Sequence, residues 1–207
     1  NILIKGKVKK GDPKKVLKNA YQVKGFLETS YVEHAYIEPE AGCSWMDGDT
    51  IVIQACTQAP YMDRDDTAKI LGLPKDRVRI IPSSTGGGFG SKLDISIQPL
   101  LGLVTLKTKK PCKLTYSRKE SMISTTKRHP AKMNASISSD KNGNITSMIF
   151  EGNFNTGAYA SWGPTVANRV PIHASGPYKI LNYQAEGRAI YTNGPIAGAF
   201  RGFGVPQ

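Results

Sequence analysis

Two clusters combine residue types that could handle a flat, anionic group. Gly86, Gly87, Gly88 and Gly90 put four glycines in five positions around Phe89, and Arg201 stands between Phe200 and Phe203 with Gly202 and Gly204 interleaved. Glycine suits backbone that takes positive φ or lies directly against a ligand. A glycine turn leaving a strand and entering a helix offers N–H groups at the helix N-terminus, where anionic oxygens are favoured. An arginine among phenylalanines adds a planar cation and flat apolar faces. Together the clusters point to a large, flat, anionic cofactor or substrate. The first is not a Walker loop, because Lys92 is followed by Leu93 rather than by Ser or Thr. Nor does it have the G-x-G-x-x-G spacing and βαβ setting of a dinucleotide fingerprint.

Other chemistry is sparse. Cys43, Cys56 and Cys112 are widely spaced, and His34, His129 and His173 are scattered. No ligand spacing for a protein-held zinc or iron–sulfur centre is present, so no metal is expected to be held by side chains of this chain. An odd cysteine count without framework spacing favours a reducing compartment, hence the cytoplasm. The net charge is +12, with lysines clustered at Lys5, Lys7, Lys9, Lys10, Lys14, Lys15 and Lys18 and at Lys107, Lys109 and Lys110. Such clusters suit nucleic acid or an anionic lipid surface, or form a solvated face or one that meets acidic parts of a larger protein. They are not interleaved with the aromatics that base stacking needs, so no nucleic-acid partner is expected. The apolar stretch Leu100 to Leu106 is too short to span a bilayer, and no membrane partner is expected. The chain opens at Asn1 and stops at Gln207 directly after the arginine cluster, which reads as a piece of a longer protein.

Several elements must position these clusters. Alternation predicts strands over Asn1 to Lys10 and Tyr21 to Val32, with a further extended segment from His34 to Cys43. Asp12 and Pro13 predict a helix start, with the helix over Lys14 to Ala20. Asp47-Gly48-Asp49 is a hairpin turn into a strand over Thr50 to Ala55. A helix follows over Pro60 to Leu71, stopped by Gly72 and Pro74. A strand over Arg77 to Pro82 leads into the glycine run, and an apolar helix is expected over Leu93 to Lys107. A strand over Lys113 to Tyr116 and a short helix over Arg118 to Ile123 come next. Strands over Lys132 to Ser138 and Ile145 to Asn155 flank the turn Asp140-Lys141-Asn142-Gly143. Gly157 to Gly163 reads as a loop holding Tyr159 and Trp162, and Tyr183 to Tyr191 as a strand. Without strict βαβ alternation the pattern is α+β, with mixed sheets and packed helices. The expected division is a first lobe over 1–120 with the glycine loop and a second over 121–207 ending in the arginine loop.

Gly-Gly-Gly-Phe-Gly-Ser-Lys at 86–92 and Ala-Phe-Arg-Gly-Phe-Gly-Val-Pro-Gln at 199–207 resemble the xanthine dehydrogenase / aldehyde oxidase family of molybdenum hydroxylases. The likeness is to the first half of its molybdopterin-binding part. The segment Val32 to Ala41, the stretch Thr57-Gln58-Ala59-Pro60 with Arg64, and Gly176-Pro177-Tyr178-Lys179-Ile180 extend it along the chain. The resemblance implies a molybdopterin cofactor, approached by the backbone of Gly87, Gly88, Phe89 and Gly90 and by the loop of Phe200, Arg201 and Gly202. It implies that Phe203 faces a flat substrate and that Arg169 reaches a substrate oxygen, as a forming oxyanion would require. It implies hydroxylation of an N-heterocycle or an aldehyde with water. Electrons would pass to iron–sulfur clusters and FAD on other domains or subunits.

Two positions depart from the family pattern. Leu93 stands where purine oxidisers carry a glutamate, and Val32 where many members carry a glutamine. An apolar Leu93 removes a charged hydrogen-bond partner from the substrate wall, so a nicotinate-like ring or an aldehyde fits at least as well as a purine. The family's catalytic glutamate belongs beyond Gln207, and Glu33, Glu38 and Glu40 do not match it. The chain alone is therefore expected to be inactive and to need the remaining half of the cofactor-binding portion. Rival readings are a non-catalytic basic binding module and a homologue that has lost activity and acts as scaffold.

Overall fold

The computed structural model describes residues 1–17 and 21–206. In chain order its elements are β1 (Ile2–Lys10), α1 (Pro13–Leu17), β2 (Tyr21–Thr29), β3 (Ala41–Asp47), β4 (Thr50–Ala55), α2 (Pro60–Leu71), β5 (Val78–Pro82), α3 (Gln98–Thr108), β6 (Cys112–Thr115), α4 (Arg118–Ser124), β7 (Ala131–Ser139), β8 (Ile145–Gly157), α5 (Gly163–His173) and β9 (Asn182–Tyr191). The architecture is α+β with mixed sheets and packed helices. Two compact units form, one from Asn1–Val32 with Lys127–Gln207 and one from Glu33–Thr126.

The discontinuous unit is built on a five-stranded sheet in the order β1-β9-β8-β7-β2. Among the described residues of this sheet, β8 and β9 pair in parallel and the other neighbours antiparallel. The β7–β8 hairpin forms because Asp140 Oδ1 accepts from the N–H groups of Asn142 and Asn144, each at 2.9 Å, and Gly143 takes φ 84°. Helix α5 lays its buried stripe of Val166, Ala167 and Val170 over the sheet. Phe154 and Ala185 are fully buried beneath it, and apolar burial of this kind is the main stabilising term.

The continuous unit has the sheet β5-β4-β3-β6, with β4 and β5 parallel and joined through α2. Ile51 and Ile53 on β4 pack against Ile97 and Leu101, all fully buried. Inside this unit Gln98 Nε2 donates to Asp63 Oδ2 at 3.0 Å, tying α3 to α2.

The structure departs from the sequence reading in several places. Residues 1–32 leave the expected first lobe, because β1 pairs with β9 and β2 with β7. The segment from His34 is irregular until β3 begins at Ala41. Helix α1 is observed over Pro13–Leu17, and Lys18, Asn19 and Ala20 of the expected helix lie outside the described residues, as does Gln207. Helix α5 was not expected at all. It starts at Gly163-Pro164 and holds Pro171 inside, but proline at the first turn is tolerated and the apolar stripe decides the outcome.

Candidate functional site

The glycine loop belongs to the continuous unit. After β5 the backbone takes φ 100° at Gly87, 53° at Phe89 and 110° at Gly90. Phe89 is 44% exposed, and a bulky residue in left-handed backbone is uncommon outside functional or strained turns. The loop does not enter an α-helix. It closes in a single 3₁₀ turn over Ser91–Leu93, and α3 starts only at Gln98. The Ser91 N–H donates to Gly88 O at 3.0 Å and the Leu93 N–H to Gly90 O at 3.2 Å. The expected helix N-terminus is thus replaced by a tight turn whose donors serve the loop itself.

Two side chains from elsewhere in this unit shape the loop. The Gly86 N–H donates to Glu38 Oε2 at 2.8 Å, and the Glu38 N–H donates back to Gly86 O at 3.1 Å. The Gly90 N–H donates to Gln58 Oε1 at 2.9 Å, and the Gln58 N–H donates to Lys92 O at 2.9 Å. A Cβ at Gly88 would sit 2.5 Å from Gln58 Oε1, and one at Gly87 2.9 Å from Tyr36 Cβ. Gly87, at φ 100° and close to Tyr36 Cβ, has no room for a side chain, and one at Gly88 would displace the Gln58 amide that holds Gly90. Leu93, half-buried, ends the 3₁₀ turn.

Beside the loop lies a buried polar group. The Tyr36 hydroxyl donates to Glu40 Oε1 and lies 3.4 Å from Ser91 Oγ. Burial, with help from Glu40, pushes the Tyr36 phenol up to about 12, so it remains a donor at any physiological pH.

The arginine loop belongs to the discontinuous unit. Segment 127–128 acts as its rack: the Lys127 N–H donates to Ile196 O at 3.1 Å and the Gly198 N–H to Lys127 O at 2.9 Å. The Arg128 guanidinium lies 4.1 Å from the Phe200 ring centre, within cation–π range. Burial lowers the Arg128 pKa. Arg201 is exposed at the turn, followed by Gly202 at φ 75° and Gly204 at φ 84°.

Arg169 and Phe203 come together in this unit. Arg169, on α5, donates from Nη1 to Phe203 O at 3.4 Å, and its guanidinium lies 5.0 Å from the Phe203 ring centre. Trp162 packs on the same ring at 5.6 Å. Phe203 is half-buried and packs against the sheet core.

Each taken by itself, the arginine loop offers an exposed guanidinium on glycine backbone, and the glycine loop offers a side-chain-poor turn with one exposed ring. Among the described residues no three His, Cys, Asp or Glu side chains gather as metal ligands. The exposed Arg201 guanidinium suits an organic anion.

Glu38, Gln58, Tyr36, Arg128 and Trp162 were not assigned roles from sequence. Tyr36, Glu38 and Gln58 do lie in stretches that carry the family resemblance, and that is the available signal.

Comparison with known proteins shows the family and the fold. Residues 1–207 match the family described as the molybdopterin cofactor-binding domain. The chain is 44% identical over 186 residues to the nicotinate dehydrogenase large molybdopterin subunit of Eubacterium barkeri, covering 89% of this chain and 44% of the relative. It is 31% identical over 210 residues to the xanthine dehydrogenase molybdenum-binding subunit of Escherichia coli, covering 100% of this chain and 28% of the relative. Among solved structures, the aldehyde oxidoreductase of Desulfovibrio gigas superposes with a TM-score of 0.94 at 26% identity, covering 99% of this chain and 23% of that one. The chain spans less than half the length of these relatives.

Proposed function

This chain belongs to the molybdopterin cofactor-binding domain family, and we propose that it contributes to the molybdenum-cofactor site of an enzyme that hydroxylates an N-heterocycle of nicotinate-like type. The observation that carries this reading is the 44% identity to a nicotinate dehydrogenase subunit, joined to the apolar Leu93. When bound, the cofactor supplies the redox centre that takes two electrons from the substrate carbon while water supplies the oxygen and two protons leave.

The chain's own residues bind and orient. Arg201, exposed on glycine backbone, gives the anionic cofactor a cationic contact. The backbone of Gly87, Gly88, Phe89 and Gly90 allows close approach, because three of the four carry no side chain. Arg169 is held against Phe203, which restricts its swing and presents a guanidinium to developing negative charge on the substrate. Leu93 gives the substrate wall an apolar character that leaves a purine's polar edge without a partner. Electrons leave to iron–sulfur and flavin partners outside this chain. Residues acting as a unit do not work singly, so the 207-residue chain alone is inactive.

The test is a substrate panel of nicotinate, hypoxanthine and an aromatic aldehyde on the complete enzyme. The reading predicts the highest kcat/KM for nicotinate, with hypoxanthine at least about tenfold lower, the low end of the cost of one polar group left unpaired. Hypoxanthine as best substrate would overturn it. A preference for the aldehyde would support the second reading, which the similarity to an aldehyde oxidoreductase favours.

A further inference from the structure

The glycine loop has an anchor that cofactor binding leaves unexplained. Lys92 closes the loop, yet its side chain is only 2% exposed. A buried ammonium is costly unless paired and hydrogen-bonded. Its Nζ donates to Glu38 Oε2 at 2.8 Å and to Glu38 O at 3.0 Å, and lies 4.6 Å from the Tyr36 ring centre. The same Glu38 carboxylate oxygen accepts from the Gly86 N–H at 2.8 Å, while the Glu38 backbone N–H donates to Gly86 O. One residue therefore grips both ends of the loop. At residue 86 it binds backbone in both directions, and at residue 92 it binds the buried cation twice.

We propose that Glu38 is the positioning residue of the glycine loop and that the Glu38–Lys92 pair is the clamp that holds residues 86–92, with left-handed backbone at Gly87, Phe89 and Gly90, in their path. Charge-assisted hydrogen bonds to a carboxylate are stronger than neutral ones, and with Lys92 buried and Glu38 partly buried salt screens the pair less than an exposed one. The strained backbone at Phe89 persists only where its surroundings over-determine it. Glu38 at the ends and Gln58 in the middle supply that constraint. The space is also committed: a Cβ on Gly86 would lie 2.5 Å from Glu38 Cβ. Glu38 acts through the loop and is not a catalytic residue. Its relevance to cofactor binding rests on the function proposed above, and its role in shaping the loop does not.

The experiment uses the complete enzyme and reads hydrogen exchange in peptides covering residues 84–95, together with molybdenum content. Glu38→Gln keeps an acceptor for the Gly86 N–H but leaves Lys92 without a counter-charge. The clamp predicts exchange at least tenfold faster at Gly86 and also at Gly90, whose own acceptor, Gln58, is untouched. Exchange at Gly90 unchanged from wild type would overturn the proposal, since the effect would be confined to one lost partner. Should Glu38→Gln fail to accumulate, Lys92→Met and the double variant Glu38→Gln/Lys92→Met take its place. Interacting residues give non-additive effects, so the clamp predicts that Glu38→Gln has no further effect on Gly90 exchange once Lys92 is Met. A further tenfold rise in the double variant would contradict it. Molybdenum content separates the two claims. A loosened loop with molybdenum retained at the wild-type level upholds the clamp and contradicts the placement of this loop at the cofactor, and a loosened loop with molybdenum lost upholds both.

Discussion

Arg169 and Arg201 carry the same charge in different settings, and that difference sets their expected behaviour. Both are exposed, Arg201 at a glycine turn and Arg169 on α5 beside Phe203, which it meets through a hydrogen bond and a ring contact. Arg201→Ala in the complete enzyme should lower molybdenum retention, measured as metal per folded protein. Arg169→Ala should leave molybdenum bound and slow turnover by about 2–4 kcal/mol, the scale of a lost oxyanion donor. Normal turnover in the Arg169 variant would remove it from the substrate site. Both arginines stand out in the sequence through motif and spacing. Their partners do not, because Phe203 lies 34 residues from Arg169 and Arg128 is joined to Phe200 only by a fold that pairs Lys127 with Ala197.

At the scale of elements, two buried titratable groups give the two units opposite pH responses. In the continuous unit Asp63 joins α2 to α3, and burial, aided by the carboxylates of Asp66 and Asp94, raises its pKa to about 6. The folded form then holds its proton more tightly than the unfolded chain. Stability from this group is full below about pH 4 and is lost as pH rises through 6, by about 3 kcal/mol. In the discontinuous unit burial drives the His129 pKa down to about 4, and the Arg128 charge adds to it. Stability from this group is full above about pH 6.5 and is lost as pH falls through 4, again by about 3 kcal/mol. Urea unfolding across pH 4 to 7 should show Asp63→Asn retaining only the acid loss and His129→Gln only the loss on raising pH. Identical profiles for the two variants would refute the assignment. Most elements were legible in the sequence because alternation and turn residues encode them locally, as in the Asp140 turn. The end of the glycine loop was not, because a strand followed by glycines reads the same whether a helix or a 3₁₀ turn follows. Helix α5 was hidden by its prolines, and the swap of residues 1–32 into the other unit was hidden because strand pairing across more than a hundred residues leaves no local trace.

At the scale of the whole molecule, each loop is backed by a core of its own: the sheet with α5 behind the arginine loop, and the four-stranded sheet with α3 in the unit of the glycine loop. Phe154→Ala opens a cavity under α5 and should cost about 3–5 kcal/mol, visible as an earlier unfolding transition. Such a variant should lose the arginine loop's order before Glu38-dependent protection at Gly86 changes. The central claim is that this chain is a cofactor-binding portion of a molybdenum hydroxylase. Its most direct test is molybdenum by elemental analysis, with oxidised pterin fluorescence in parallel, on the complete enzyme purified from its own cells. The account predicts one molybdenum and one pterin for each copy of this chain. A well-folded enzyme containing neither would contradict it.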